Sequence, residues 1–171
     1  MFQRTEIDCP ALAAVADRFR SAGEFVSVFF RVAVPVSPSY PNFFERSFSA
    51  VLNEVLQSSV LVGAAPELAP LNLKAAKAFT LLNRYEFEGS LIGVLLQGTC
   101  TETVVADEHA ARAAARAMVQ SVAGAEGALR AYRMDNPSWS ALLDGATLAW
   151  SYVVYDVSQK RWWVMCFADF Y

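Results

Sequence analysis

Few side chains in this sequence are suited to nucleophilic or metal chemistry. It contains one histidine, His109, and three widely separated cysteines, Cys9, Cys100 and Cys166, without Cys-x-x-Cys spacing. Catalytic Cys–His and Ser–His pairs need an imidazole beside the nucleophile, and zinc sites need several closely spaced ligands. His109 lies instead in the polar first turn of a helical pattern, beside Glu108. We therefore expect no catalytic residue and no metal site, and we expect free thiols in a reducing cytoplasm.

Cofactor motifs are also missing from the sequence. No Gly-x-x-x-x-Gly-Lys-Ser/Thr loop, Gly-x-Gly-x-x-Gly turn, His-Glu-x-x-His helix or Gly-x-Ser-x-Gly elbow occurs. The glycines at positions 89, 93 and 98 are isolated and do not form a phosphate-binding loop. The sequence therefore predicts no cofactor.

Carboxylates are the remaining groups with acid–base potential. Glu86 and Glu88 are two residues apart and therefore lie on the same face of a predicted strand. A solvated acidic face is the favoured interpretation of this pair. Asp169 follows Phe167 near the C-terminus, and aromatic surroundings would raise its pKa. The favoured alternative places Asp169 at an exposed, frayed end of the chain.

The composition limits the class of protein. Apolar residues make up 55% of the 171 positions, charged residues make up 18%, and the net charge is −3. Nucleic-acid binding needs clustered Lys and Arg, and a membrane-spanning helix needs about 20 apolar residues in a row. Neither pattern occurs, so we expect no nucleic-acid partner and no membrane span. An apolar surface, used for a partner or for a homodimer, explains the apolar excess.

Hydrophobic periodicity predicts a single α+β domain, residues 1–171, with four to five helices on a mostly antiparallel sheet that ends in a C-terminal β-hairpin. The predicted helices span 10–22, 42–62, 71–83, 108–122 and, as a short turn, 137–143. The predicted strands span 24–36, 85–88, 91–96, 99–105, 129–134 and the hairpin 147–171. For 91–96, periodicity does not separate a buried strand from a helix, and the three glycines favour the strand.

The C-terminal hairpin can be aligned residue by residue. A polar turn at 157–160 places Asp156 opposite Arg161 and Tyr155 opposite Trp162. Alternation then gives one bulky face and one face of smaller residues. The bulky face comprises Leu148, Trp150, Tyr152, Val154, Trp163, Met165 and Phe167; the smaller face comprises Ala149, Ser151, Val153, Tyr155, Trp162, Val164, Cys166 and Ala168.

Two hypotheses concern what covers these faces. The alanine-rich side of the helix at 108–122 would pack on the smaller face, and the helix that contains Phe44–Val55 would cover the bulky face. A core position is the favoured interpretation of the bulky face, because most aromatic stripes are buried. An exposed bulky face would instead have the anatomy of a binding hot spot.

We expect a small cytoplasmic protein that binds another protein and acts by occluding it. In general character it resembles bacterial immunity proteins and secretion chaperones. The candidate binding residues are Trp139, Trp150, Tyr152, Trp163, Phe167 and Asp169, of which Trp139 lies in a polar–aromatic segment at 130–139. The alternative is a small-molecule pocket protein or hydrolase that uses Asp169 or Glu88 beside the hairpin.

Overall fold

One antiparallel sheet with helices on both faces makes up the structure, a computed structural model that describes residues 2–33 and 40–171. In these ranges the strands are β1 (Phe2–Thr5), β2 (Glu24–Val32), β3 (Phe79–Asn83), β4 (Leu129–Met134), β5 (Leu148–Asp156) and β6 (Arg161–Asp169), in the order β1-β2-β6-β5-β4-β3. The helices are α1 (Pro10–Arg20), α2 (Phe48–Leu56), α3 (Ser59–Ala64), α4 (Arg84–Gln97) and α5 (Glu108–Ala123). Short 3-10 turns occupy Pro66–Leu68, Ala75–Lys77 and Pro137–Trp139. The predicted α+β class and terminal hairpin are confirmed.

The hairpin β5–β6 forms the centre of the sheet, with β2 beside β6 and β4 beside β5. Its register is the predicted one, with Asp156 opposite Arg161 and Tyr155 opposite Trp162. Both faces of these two strands are buried almost along their whole length. The predicted bulky and smaller faces are therefore both core faces.

The helices cover the two faces in the opposite way to the prediction. Helices α1, α4 and α5 pack on the bulky face, whereas α2 and α3 pack on the face that contains Cys166. Met118 of α5 and Cys166 thus lie on opposite sides of the sheet, so the predicted pairing of α5 with the smaller face is wrong. The alanines of α5 allow it to lie close to α1 and α4, and these three helices together cover the large aromatic side chains.

Residues 84–97 form a helix where two strands were predicted. Asn83 begins α4 with a capping box: its side chain accepts hydrogen bonds from the backbone, and Glu86 Oε2 accepts one from Asn83 N at 2.7 Å. Phe87, Leu91 and Leu95 then follow at four-residue spacing and are buried. A buried stripe and a strong cap outweigh the helix penalty of the glycines in this segment.

The region 42–83 also differs from its prediction. The predicted helix at 42–62 is two short helices, each begun by a serine cap, Ser47 for α2 and Ser58 for α3. Asn42 has a φ of 48° and is not a helix cap. The predicted helix at 71–83 is replaced by a 3-10 turn and the edge strand β3, and the predicted strand at 99–105 is irregular.

Two other predictions concern the ends of elements and membrane insertion. Strand β2 ends at Val32, and the predicted continuation at 34–36 lies outside the described residues. No helix in the described part of the chain is both long enough and apolar enough to cross a membrane.

Candidate functional site

The sequence-predicted aromatic residues lie in the interior. Trp139, Tyr152, Trp163 and Phe167 are each at most 1% exposed, and Trp150 is 9% exposed. Their rings contact one another and the helices above them; Phe19 of α1, for example, lies 4.5 Å from Phe167 between ring centroids. These side chains fill the core and do not form a contact surface. Their burial agrees with the favoured interpretation of the bulky face as core, and their predicted role in binding stays a prediction.

Trp139 belongs to the second core, on the side of α2 and α3. Its indole nitrogen donates a hydrogen bond to Ser151 Oγ at 2.9 Å, and its carbonyl accepts one from Asn72 N at 2.8 Å. The 3-10 turn at Pro137–Trp139, begun by Asn136, positions this side chain under the sheet. Trp139 therefore ties the segment before β5 to the central hairpin.

Asp169 is buried and ionised, which neither interpretation of the sequence predicted. It is 3% exposed, and its carboxylate accepts hydrogen bonds from Cys100 N at 2.9 Å and Tyr171 N at 3.1 Å. The hydrogen bond from Cys100 N, with a smaller contribution from Tyr171 N, lowers the pKa of Asp169. A carboxylate of lowered pKa fixes the loop at Cys100 to the end of β6, and it is poorly suited to act as a general acid.

The other titratable candidates have structural partners. Glu86 closes the capping box of α4, and Glu88 lies 3.5 Å from Arg116 of α5. His109 is exposed on α5. In the ranges 2–33 and 40–171, no three His, Cys, Asp or Glu side chains are close enough together to hold a metal ion.

An exposed aromatic surface lies at the turn end of the hairpin. Phe44 is fully exposed, and it borders a groove of about 360 Å³ together with Tyr40, Phe43, Arg130 and Val157. Val157 is also exposed, at 44%. We call this groove and its rim the Phe44 surface. It combines apolar area with one cation, the composition that interface cores favour.

Buried tyrosines hold the segment that presents Phe44. Tyr155 donates a hydrogen bond from its hydroxyl to Tyr40 O at 3.0 Å, and Tyr132 donates one to Phe48 O at 3.1 Å. The ring of Phe43 stacks on Phe48 with 4.4 Å between centroids. Segment 40–48 is therefore fixed at both ends to strands β4 and β5, with Phe44 facing outward between the attachments.

A second groove adjoins the Phe44 surface. It has a volume of about 250 Å³ and is lined by Phe48, Leu81, Leu82, Asn83, Glu86 and Arg130. Arg130 lines both grooves, and its side chain forms no ion pair with any residue that the structure describes. The two grooves thus meet at one unpaired cation, at the β3 side of the sheet.

Burial keeps these tyrosines protonated. It raises the pKa of Tyr40 to about 12, and it raises the pKa values of Tyr132 and Tyr155 further. The hydroxyls of Tyr132 and Tyr155 therefore remain hydrogen-bond donors to segment 40–48 well into the alkaline range.

We expect the free energy of unfolding to fall above pH 10. Tyrosine in the unfolded chain ionises near pH 10, whereas Tyr40 in the folded protein keeps its proton until about pH 12. Between these pH values ionisation stabilises the unfolded chain, so the free energy of unfolding is unaffected below pH 10 and falls as the pH rises toward 12. Tyr40 alone should lower the free energy of unfolding by about 2 kcal/mol over that interval. Urea titrations at successive pH values measure the loss, and a Tyr40→Phe variant should lose less. An equal loss in both proteins would contradict the assignment to Tyr40.

Sequence reasoning missed the Phe44 surface because it placed Phe44 in the buried stripe of a long helix. The usable signal was Pro41-Asn42 before the paired phenylalanines, since Pro and Asn favour a turn. In a turn, two adjacent phenylalanines point in different directions, and here Phe43 packs inward while Phe44 is exposed.

Comparison with known proteins identifies the fold. No protein-family model matches the sequence, and no curated protein sequence matches it. The structure is similar to citrus MAF1 in two crystal forms, each at 14% sequence identity. For space group P 31 2 1 the TM-score is 0.53, over 94% of this chain and 100% of that one; for C 2 2 21 it is 0.50, over 92% and 98%. At this identity the likeness concerns the fold alone, and it gives no support to a bacterial origin or to the resemblance to immunity proteins.

Proposed function

We propose that this protein is a binding module that acts by covering the surface of a partner protein, and that the Phe44 surface is its contact site. The observation that carries the proposal is a fully exposed phenylalanine on a segment that buried tyrosines hold in place. An exposed aromatic ring costs solvation free energy unless a partner buries it. A fixed ring also loses little conformational entropy on binding.

The surroundings of Phe44 match the pattern of binding hot spots. Such sites combine an aromatic or arginine anchor with a surrounding apolar surface that excludes water. Phe44 supplies the aromatic anchor, Arg130 supplies the cation, and Val157 and Pro41 supply apolar rim area. We propose that Phe44 enters a pocket on the partner while Arg130 pairs with one of its carboxylates.

The interior residues of the hairpin support this surface indirectly. Tyr155 contacts Trp162 with 4.7 Å between ring centroids, and Trp162 is fully buried. Packing of this kind fixes the Tyr155 hydroxyl under segment 40–48. The aromatic hairpin thus acts as the rigid base of the contact site.

We also propose that the protein acts in the cytoplasm. Its three cysteines are unpaired, and Cys9 and Cys166 are buried. Burial raises the pKa of Cys166, and a buried thiol with a raised pKa is unreactive. Free, unreactive thiols are typical of a reducing compartment.

Replacing Phe44 with alanine should weaken partner binding by about tenfold or more. Because the side chain is exposed, we expect the melting temperature to stay unchanged. The measurement is quantitative co-purification from extracts of the native cell, with mass spectrometry of the captured proteins and sizing of the protein alone.

Tyr171→Ala is the matched control, since Tyr171 is another largely exposed aromatic residue, at the opposite end of the hairpin. A partner captured by the wild type and the Tyr171 variant but lost with the Phe44 variant supports the proposal. Equal capture by all three proteins contradicts it. If the wild type is a dimer and the Phe44 variant a monomer, the surface binds a second copy of this chain.

A further inference from the structure

Strand β3 is an edge strand whose outward backbone groups can be identified from its register. Asp135 N donates to Ala78 O at 2.9 Å, which makes these residues a hydrogen-bonded pair just before β3 begins. Bonding alternates along an antiparallel ladder, so Thr80 and Leu82 are the next residues bonded to β4. The N–H and C=O groups of Phe79 and Leu81 therefore point away from the sheet.

The β3 edge lacks the features that usually block strand addition. Natural edge strands are protected by charged residues, proline, bulges or a covering element. The sequence of β3, Phe-Thr-Leu-Leu-Asn, contains no charge and no proline, and its register with β4 is continuous. The opposite edge, β1, carries Arg4 and has only four residues.

The side of the edge where Leu81 lies offers an apolar groove between two cations. The groove beside β3 is lined by Phe48, Leu81, Leu82, Asn83, Glu86 and Arg130, and Arg130 lies opposite Asn83 at its C-terminal end. Glu86 accepts a hydrogen bond from Asn83 N in the capping box, whereas Arg130 has no carboxylate partner among the described residues. Lys77 is exposed two residues before β3 begins. Neither cationic side chain forms an ion pair within residues 2–33 and 40–171. The carboxylates near this edge, Asp135 and Glu86, already have partners in Arg133 and Thr80 and in the cap of α4, so Lys77 and Arg130 are the cations left to pair with a ligand.

We propose that the β3 edge binds an extended segment of the partner protein, with an apolar β-branched centre and acidic flanks, as an additional strand. Backbone bonds to Phe79 and Leu81 give affinity, as in other cases of β-strand addition. An apolar side chain of the segment packs between Phe48 and Leu81, and its carboxylates pair with Lys77 and Arg130. This rests on the proposed function and extends it, since Arg130 joins the edge to the Phe44 surface.

Leu81→Pro is the informative variant. The backbone N–H of Leu81 points outward, so a proline at this position removes a donor to the partner strand and leaves the hydrogen bonds between β3 and β4 intact. Leu81→Ala is the matched control, because it removes the same side chain and keeps the N–H. Thermal unfolding establishes that both variants are folded.

The probe is a fluorescein-labelled heptapeptide, Glu-Glu-Val-Thr-Val-Glu-Glu, with a lysine-flanked version and a version with proline at the centre as comparisons. We expect saturable binding of the acidic peptide by anisotropy, weakened at least about tenfold by Leu81→Pro and less by Leu81→Ala. Higher salt should weaken it further. Hydrogen exchange should show new protection of the Phe79 and Leu81 amides, while the Thr80 and Leu82 amides are protected with or without peptide.

Three results with the peptide or the protein alone would overturn the inference, and a fourth comes from partner capture. One is absence of binding at millimolar peptide; another is equal binding by the Leu81→Pro variant or by the lysine peptide. The third is a wild-type dimer that Leu81→Pro converts to a monomer, since a second copy would then occupy the edge. If Phe44→Ala abolishes partner capture while Leu81→Pro does not, the proposed function stands and the β3 edge is not part of it. If Leu81→Pro alone abolishes capture, the edge is the binding site and the Phe44 surface is not.

Discussion

Replacing Trp163 with alanine should lower the free energy of unfolding by about 3–5 kcal/mol, the usual cost of removing a buried tryptophan side chain. Trp163 is 1% exposed, stacks on Phe29 with 5.3 Å between ring centroids, and meets Phe87 edge-on at 5.9 Å. Its indole nitrogen donates to Ser27 Oγ at 2.9 Å. The alanine variant leaves a cavity between the sheet and α4 as well as an unpaired serine hydroxyl. Urea unfolding, followed by tryptophan fluorescence, measures the loss.

A Trp163→Phe variant separates packing from hydrogen bonding. Phenylalanine keeps most of the ring contacts and loses the bond to Ser27, so we expect a loss of about 1–2 kcal/mol. This pair of variants also distinguishes a core role from a direct binding role. If Trp163→Ala unfolds at the wild-type urea concentration while partner binding fails, Trp163 is a contact residue and its assignment to the core is wrong.

Asp156→Ala should cost about 3 kcal/mol, because it removes the acceptor at the centre of the hairpin turn. Asp156 is fully buried, and its carboxylate accepts from Arg161 at 3.1 Å, from Ser158 N at 3.1 Å and from Gln159 N at 3.2 Å. Arg161 also donates to Val122 O at the end of α5. Removing the carboxylate leaves a largely buried guanidinium without its anion. A fall in melting temperature of about 6–12 °C would report this loss.

Asp156→Asn and Arg161→Met are the controls for this effect. Asparagine keeps an acceptor for the turn but removes the charge. The free energy of unfolding of Asp156→Asn should therefore lie between that of the wild type and that of Asp156→Ala. The double variant Asp156→Ala with Arg161→Met should cost less than the sum of the single variants, because no buried charge is left unpaired. If the losses of the two single variants instead add up to that of the double variant, the ion pair between Asp156 and Arg161 contributes little. The loss in Asp156→Ala would then come mainly from the turn hydrogen bonds of Ser158 N and Gln159 N.

The elements that could be predicted are those whose signal is local. The hairpin register followed from alternation around one polar turn, and the pairs from Asp156–Arg161 to Trp150–Phe167 are all as predicted. Helices α1 and α5 followed from hydrophobic periodicity, and in the structure Pro10 and the cap residue Asp107 stand at their starts. In each case neighbouring residues contain the information.

The predictions were wrong where contacts between distant parts of the chain determine the structure. In α4, the glycines suggested a strand, but the capping box at Asn83 and the burial of Phe87 under the sheet favoured the helix. The choice of which helices cover which sheet face depends on contacts between residues far apart in the chain, and no periodic pattern encodes it. Sequence alone therefore gave the two faces of the hairpin correctly and assigned their helices incorrectly.

The Phe44 surface could not be located from the sequence. The sequence predicted aromatic contact residues, and the aromatic residues named for this role lie in the core. Trp163 and Phe44 are both aromatic in apolar sequence contexts, and only the fold separates a 1% exposed ring from a fully exposed one. Asp169 shows the same limit, because its hydrogen bond to Cys100 N joins positions 69 residues apart.

The strand order has a consequence for synthesis on the ribosome. Strands β1 and β2 pair with each other, as do β3 and β4, but the two pairs are joined only through β5–β6, which follow them along the chain. Until residues 148–169 leave the exit tunnel, the nascent chain exposes the sides of β2 and β4 that the hairpin will cover, together with residues such as Phe19 and Phe30. Exposed strand edges and apolar surface promote aggregation. We therefore expect the two strand pairs to join into one sheet only after β5 and β6 have been synthesised, and a fragment that ends before residue 148 to aggregate.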